Sequence, residues 1–137
     1  MERFLVLVAV LLIGLIGCSM SQDVSEAEKS VAAFHKLLDD QQYELIFKSS
    51  SAELQKAVTQ EAFIQRMRTV HNKLGIVVHT SKQAWSVNAN TSGTLVTLST
   101  ETRFANGVAT EEFIFRIDDK MPVLMRYNVV SSALVGE

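Results

Sequence analysis

Residues 104–118, FANGVATEEFIFRID, decide the fold of this chain. The Asn106-Gly107 pair is a strong hairpin signal, because both residue types accept the positive φ angles of a type I′ turn. After the turn, Phe113, Phe115 and Ile117 recur at every second residue, which is the period of a strand with one buried face. The stretch therefore predicts a hairpin within an antiparallel sheet.

The turns at either end of this strand predict a register. A two-residue turn at 106–107 would place Leu98 opposite Phe115, and a three-residue turn at 118–120 would place Phe115 opposite Val123. Both choices keep apolar side chains on a common face, as one buried sheet face requires. Strands are expected over 76–88, 94–104, 108–117 and 121–130.

Helical patterns precede the strands. Ser25 and Glu28 form the pattern of a capping box at the start of a first helix, which Asp39-Asp40 ends. Thr59 is a plausible N-cap for a longer helix, and Gly75 suits its end. Two short helices are expected between them, and their apolar or capping residues are Tyr43, Ile46, Phe47, Ser51, Leu54 and Val58. Helices followed by an antiparallel meander of about four strands predict an α+β fold, with the helices on one face of a curved sheet.

The first 18 residues have the layout of a secretory signal. Arg3 precedes an apolar run from Phe4 to Ile13, and about 14 apolar positions fall short of the roughly 20 that span a bilayer. The following Leu15-Ile16-Gly17-Cys18 resembles the lipobox of bacterial lipoprotein precursors. The resemblance implies cleavage before Cys18 and lipidation of its thiol; a buried cysteine in an uncleaved helix is the alternative.

This interpretation divides the chain into a signal peptide (1–17), a lipidated cysteine with a short extended tether (18–24) and one α+β domain (25–137). Cys18 is the only cysteine, so the domain can form no internal disulfide. Ser19 follows the cysteine where an aspartate would retain enterobacterial lipoproteins at the inner membrane. By resemblance to those sorting rules, the expected location is the periplasmic face of the outer membrane if the source is Gram-negative.

Charge and histidine spacing exclude several functions. The net charge of −2 comes without any cluster of Lys or Arg, so nucleic-acid binding is not expected. His35, His71 and His79 do not have the spacing of a metal site, and no thiol would remain free after lipidation. We therefore expect neither a metal nor a cofactor.

The order of elements resembles the cone-shaped domains of the nuclear-transport-factor-like (cystatin-like) class. More narrowly, residues 25–133 are similar to a family of bacterial envelope domains of unknown function. The matching stretches are Leu38-Asp39-Asp40-Gln41-Gln42-Tyr43, the helix end at 66–75, Phe104-Ala105-Asn106-Gly107, Thr110-Glu111-Glu112-Phe113-Ile114-Phe115 and Arg126-Tyr127-Asn128. The chain departs from that family at Asp119-Lys120-Met121, where a glycine and a tryptophan are expected.

The resemblance to a cone implies where an enzyme or ligand binder of this class would work. Such sites hold Tyr, Asp, Glu or His side chains in an apolar cavity that shifts their pKa values. Tyr43, Glu111 and Tyr127 are candidates, with Trp85 near them, and the proposed register places Tyr127 opposite Glu111. The alternative interpretation is that Glu111 lies at the sheet rim and Tyr127 caps the core with a solvated hydroxyl.

The opposite sheet face is a candidate docking surface. The register places Glu112 between Glu101 and Arg126, and directly opposed like charges are destabilising unless cations lie near. Ion pairs on an ordinary solvated face would contribute little, which is the alternative interpretation. The candidate residues are Glu101, Arg103, Glu112, Ile114, Arg116, Leu124 and Arg126.

These observations favour a non-enzymatic, lipid-anchored envelope protein that binds a partner protein or a second copy of itself. Its expected contacts are membrane lipid through Cys18 and an envelope protein or itself, without nucleic acid. The alternative is a small-ligand binder or enzyme that uses a cavity near Trp85, Glu111 and Tyr127.

Overall fold

The computed structural model describes residues 2–135, with side chains described from residue 19 onward. The predicted α+β fold is confirmed: four helices precede a four-stranded antiparallel sheet with the order β1-β2-β3-β4. The elements are α1 (Glu2–Asp39), α2 (Tyr43–Lys48), α3 (Ala52–Ala57), α4 (Gln60–Leu74), β1 (Val77–Asn90), β2 (Gly93–Phe104), β3 (Gly107–Asp118), β4 (Met121–Val130) and a 3-10 helix (Ser132–Leu134).

Helix α1 supplies one wall of the core. Ala27, Val31, Phe34 and Leu38 recur at three- and four-residue steps and are all buried, which is the pattern of a helix with one apolar face. Phe34 packs edge-on against Phe113 of β3, with 5.2 Å between the ring centroids. The core therefore lies between α1 and one face of the sheet.

The start of α1 corrects two predictions. Ser25 is an exposed residue inside the helix rather than its N-cap, and residues 19–23 are helical rather than an extended tether. The reason is that α1 continues on the N-terminal side of Ser25, so the backbone N–H groups there need no cap. The side chains of the predicted signal peptide and lipobox lie outside the described residues. Within the described part of the chain, no helix combines the length and the apolarity needed to cross a membrane.

The later helices begin and end where the sequence predicts. The Ser51 hydroxyl accepts a hydrogen bond from the Leu54 N–H, and the Thr59 hydroxyl accepts one from Ala62, both at 3.1 Å. Gly75 follows α4 with a φ of 78°, a backbone conformation that side chains disfavour. Its position between Ala105 and Asn106 leaves little room, because an added Cβ would lie 3.1 Å from atoms of both side chains.

The β2–β3 register differs from the prediction by two residues. Leu98 pairs with Phe113 instead of Phe115, and Phe104 pairs with Gly107, so the turn residues are Ala105 and Asn106. The physical reason is tertiary. The Asn106 N–H binds the Leu74 carbonyl at the end of α4, and the Ala105 N–H binds the Ile76 carbonyl, each at 2.8 Å. The end of α4 fixes the hairpin, and a two-residue shift leaves the same side chains facing the core.

The β3–β4 register also differs from the prediction. The turn has two residues, Asp119 and Lys120, whose φ values of 50° and 65° are those of a type I′ turn. Phe115 consequently pairs with Leu124, and a bulge at Met125 then shifts the ladder so that Phe113 pairs with Tyr127. An extra residue on one strand moves later side chains to the other face. The bulge is why Leu124 and Tyr127, three residues apart, both point into the core.

Candidate functional site

A buried polar network lies inside the core between α1 and the sheet. The Glu111 carboxylate is fully buried; its Oε1 lies 2.8 Å from Nε2 of His35. Its Oε2 accepts a hydrogen bond from the Tyr127 hydroxyl, with 2.5 Å between the oxygens. Buried carboxylates need partners for both oxygens, and this one has them.

Three elements position the network. Glu111 follows the core-facing parity of β3, because Phe113 and Phe115 are buried on the same side. Tyr127 reaches it from β4 after the Met125 bulge. His35 lies on α1 next to Phe34, and its ring is 5.9 Å from that of Phe113. The imidazole thereby joins the helix layer to the sheet.

Tyr127 donates the hydrogen bond that it shares with Glu111. Burial, the charge of Glu111 and the hydrogen bond to Glu111 raise the pKa of Tyr127 well above its ordinary value of 10.0. Tyr127 is therefore the proton donor across the neutral range. On the other side of the carboxylate, His35 Nε2 lies 2.8 Å from Glu111, and His35 Nδ1 lies 3.4 Å from the Thr80 hydroxyl.

A row of threonines extends the polar interior. The Thr100 and Thr102 hydroxyls are 3.3 Å apart on β2, and Thr102 reaches Thr80 on β1 at 3.5 Å. Sequence analysis gave no role to His35, Thr100 or Thr102 in this site. A signal was present: Thr100 and Thr102 share the strand parity of buried Leu98 and Phe104, so hydroxyls were to be expected in the core.

A cleft opens over the imidazole side of this network. It has a volume of about 680 Å³ and lies between α1 and the edge strand β1. His35, Thr80 and Thr100 line its inner part, and charged side chains form the rim. Four of these rim charges form ion pairs with one another, because Lys82 pairs with Glu28 and Lys36 pairs with Asp40.

The carboxylate itself is closed to ligands. Glu111 and Tyr127 do not line the cleft, and both Glu111 oxygens are already bonded. A general base must reach the proton that it removes, and Glu111 is shielded from any such contact. Across the described residues, no group of three His, Cys, Asp or Glu side chains is arranged to hold a metal ion.

The structure separates Trp85 from the other two predicted cavity residues. Trp85 is 52% exposed on the edge strand β1, whereas Glu111 and Tyr127 are buried. Trp85 instead lines a groove of about 480 Å³ against the start of the described part of α1, with Met20 and Val24. The three predicted cavity residues therefore do not share one cavity: Glu111 and Tyr127 form a buried pair, and Trp85 lies at the surface.

The predicted docking face changes in two respects. Leu124 is buried in the core because the two-residue turn at Asp119-Lys120 pairs it with Phe115, so its place on the outer face was wrong. Glu112 lies opposite Ser99 and Asn128, not opposite Glu101 and Arg126. The predicted repulsion between Glu101 and Glu112 is absent for this reason.

The charged side chains of the outer face fall into two groups. Arg116 is used internally: it binds Glu53 at 2.6 Å and both oxygens of Asp118 at 2.8 and 3.0 Å. In the part of the chain with described side chains, the other four form no ion pair or hydrogen bond; they are Glu101, Arg103, Glu112 and Arg126. Ile114 is half-buried on the same face and pairs directly with Arg126.

Comparison with known proteins places this architecture in a family. A family model described as "Protein of unknown function (DUF4019)" matches residues 30–124. The chain belongs to this family. The predicted membership of an uncharacterised domain family is thereby confirmed. The DUF4019 segment contains His35 and Glu111 and ends just before Tyr127.

The chain is also similar to part of a much larger protein. It is 32% identical over 72 residues to penicillin-binding protein 3 of Bacillus subtilis (strain 168). The match covers 53% of this chain but only 10% of that protein. The two proteins thus share one short segment.

Proposed function

We propose that this chain is a lipid-anchored protein of the bacterial cell envelope, whose DUF4019 domain is a non-enzymatic binding module. The docking surface is the outer face of the sheet, opposite the face that packs against α1, where a partner protein or a second copy binds. The anchor is the diacylated Cys18 that the lipobox resemblance implies.

The observation that carries the proposal is the set of charged side chains on that face that form no ion pair or hydrogen bond with other described residues. Arg126 pairs directly with the half-buried Ile114, Glu112 lies two residues from Ile114 on β3, and Glu101 and Arg103 lie further along the same face on β2. Unpaired charges of both signs beside an apolar side chain match the mixed composition of protein interfaces. Charge complementarity there contributes more to specificity and association rate than to affinity.

The closed network supports a non-enzymatic role. Glu111 is the only buried acid among the residues with described side chains, and its two carboxylate oxygens are bonded to His35 and Tyr127. Such a network stabilises one arrangement of α1 against the sheet, which is a structural and not a catalytic role. The match with penicillin-binding protein 3 supports the interpretation as a module, because the shared segment makes up a tenth of that protein.

The first experiment is cross-linking in cells followed by purification of the lipidated protein, beside a Cys18→Ser control. We expect a reproducible envelope partner, or a cross-linked homodimer, with the wild-type protein and loss of it with the control. Equal recovery from both would contradict the anchored docking role.

The second experiment tests the face itself. Arg126→Glu should weaken the association seen by cross-linking or sedimentation, whereas Lys56→Glu on helix α3 makes the same charge change away from the face. Both side chains are exposed, so both variants should keep wild-type circular dichroism. Unchanged association in Arg126→Glu would remove this face from the proposal.

A second candidate function is favoured by the cleft over His35. Its volume of about 680 Å³ lies in the range of small-molecule sites, and its inner wall offers an imidazole and two hydroxyls. A bound small molecule would raise the melting temperature. The rise should be lost in Ala32→Leu, which narrows the cleft, and kept in Ala33→Leu, since Ala33 does not line it. If the ligand raised the melting temperature of Ala32→Leu as much as that of the wild type, the cleft would be excluded as the binding site.

A further inference from the structure

We propose that the groove formed by Met20, Val24 and Trp85 is a membrane-contact surface that rests among lipid head groups. The inference deepens the proposed function and rests on its lipid anchor at Cys18. The occupant is the bilayer that holds this anchor. Four observations carry it.

The first observation is the exposure of Trp85. From residue 19 onward every phenylalanine and tyrosine is buried, whereas Trp85, the only tryptophan, is 52% exposed. Met20, on the facing helix, is 38% exposed and lines the same groove. Trp combines an apolar ring with one polar N–H and is enriched at membrane–water interfaces.

The second observation is the alignment of α1 with β1. Asp39 binds the Val77 N–H at 3.2 Å, His35 approaches Thr80 at 3.4 Å, and Glu28 pairs with Lys82. Successive contacts move towards the N-terminus of α1 and towards the C-terminus of β1, so the two elements lie antiparallel. Trp85, next in this series, lines one groove with Met20, Ser21 and Val24 of α1.

The third observation is the helical tether. Met20 and Val24 follow Cys18 by two and six residues of continuous helix, which correspond to rises of about 3 and 9 Å. An extended chain of the same length would reach more than twice as far. A lipid-bearing Cys18 would therefore hold Met20 inside the head-group layer, which is roughly 5–8 Å deep on each side of the hydrocarbon, and Val24 at the outer edge of that layer.

The fourth observation is the polarity of the surroundings. The turn beyond Trp85 consists of exposed Thr91 and Ser92, which suit hydrated head groups and not acyl chains. At the far side of the groove, Lys82 and Glu28 neutralise one another. With no net positive charge at its rim, the groove should contact zwitterionic and anionic bilayers alike.

The single tryptophan makes the test direct. The lipidated protein is purified, reconstituted into phosphatidylcholine vesicles, and its Trp85 emission is recorded with acyl-brominated phosphatidylcholine or with aqueous acrylamide. We expect the Trp85 emission to be blue-shifted and to be quenched by bromines placed near the head-group end of the acyl chains. Acrylamide should quench this emission several-fold less than it quenches the emission of protein that has been released from the vesicles by protease or alkaline deacylation. Adding phosphatidylglycerol should leave the emission unchanged.

A matched control moves the fluorophore. In the double variant Trp85→Phe/Val108→Trp, the indole lies on the outer face of the sheet, at a position that is also 52% exposed. This indole should be open to acrylamide and insensitive to brominated lipid. If Trp85 behaves like it while mass spectrometry shows acyl groups on Cys18, the contact surface is overturned and the anchor stands. If Cys18 carries no acyl group, both proposals are overturned.

Discussion

The Tyr127 hydroxyl binds Glu111 across 2.5 Å, although the two residues are not opposite one another in the sheet. Tyr127 pairs with Phe113 and Glu111 pairs with Val129, so the hydrogen bond runs diagonally between neighbouring pairs. A diagonal separation of about 7–8 Å is within reach of an aromatic side chain. The bond closes a buried polar chain that continues through His35 into α1.

Removal of this hydroxyl should destabilise the fold. Tyr127→Phe leaves Oε2 of the buried Glu111 without its donor, and an unsatisfied buried polar group costs about 1–3 kcal/mol. We expect the free energy of unfolding, measured by urea denaturation, to fall by that amount with an unchanged m-value.

The chain supplies a matched control for this measurement. Tyr43 is as buried as Tyr127, but its hydroxyl has no hydrogen-bond partner among the described residues. Tyr43→Phe removes the same atom without breaking a bond, so the stability should be unchanged or slightly higher. Equal losses in both variants would show that the Glu111 bond adds nothing.

The raised pKa of Tyr127 predicts a loss of stability in alkali. The unfolded chain releases this proton near pH 10.0, whereas the folded protein retains it to higher pH. The stabilisation is therefore complete below pH 10.0 and declines as the pH rises from there towards the folded pKa. The stability difference between wild type and Tyr127→Phe should shrink between about pH 10 and 12. A constant difference across that range would contradict the assignment.

The bulge makes deletion of Met125 tolerable. Without this residue, Leu124 still pairs with Phe115 and Arg126 still pairs with Ile114, so the ladder becomes regular. We expect a folded protein with wild-type circular dichroism and a modest shift of the urea midpoint. Deletion of Thr97, inside the regular β2–β3 ladder, is the control. It moves core side chains to the outer face and should abolish cooperative unfolding.

The ion pairs of Arg116 predict a pH dependence at the acid end. Hydrogen bonding to Arg116 lowers the pKa of Asp118 from 3.8. Glu53 is also lowered, first by its own backbone N–H and then by Arg116. The contribution is present above the unfolded pKa values and is lost as the pH falls through the lower folded ones. Arg116→Gln should lower the urea midpoint at neutral pH and match wild type below about pH 3. A difference that persists in acid would point to lost packing.

Patterning in the sequence was sufficient for the elements of this fold. Ser51, Thr59 and Gly75 mark helix ends because caps and positive φ angles are local requirements. Strand periodicity likewise identified the buried face of β3. These features depend on residues within a few positions of one another, so a single sequence contains them.

The registers could not be predicted, because distant contacts decide them. Asn106-Gly107 has the turn preference, yet the carbonyls of Leu74 and Ile76 hold the turn one residue earlier. The candidate site has the same limitation. Glu111 and Tyr127 were identified from strand parity, but His35 comes from a helix 76 residues away from Glu111 in sequence, and no local pattern relates them.

Helix α1 reaches from the tether region to Asp39 without interruption, and it is also the helix that carries Phe34 and His35 in the core. A domain on a flexible linker can swivel over a membrane and sample many orientations. A domain whose anchor and core belonged to one continuous helix would have no such flexible linker. With the proposed lipid on Cys18, the orientation of the outer face of the sheet would follow that of α1, and a pulling force on the lipid would be transmitted along α1 to the turn that carries His35.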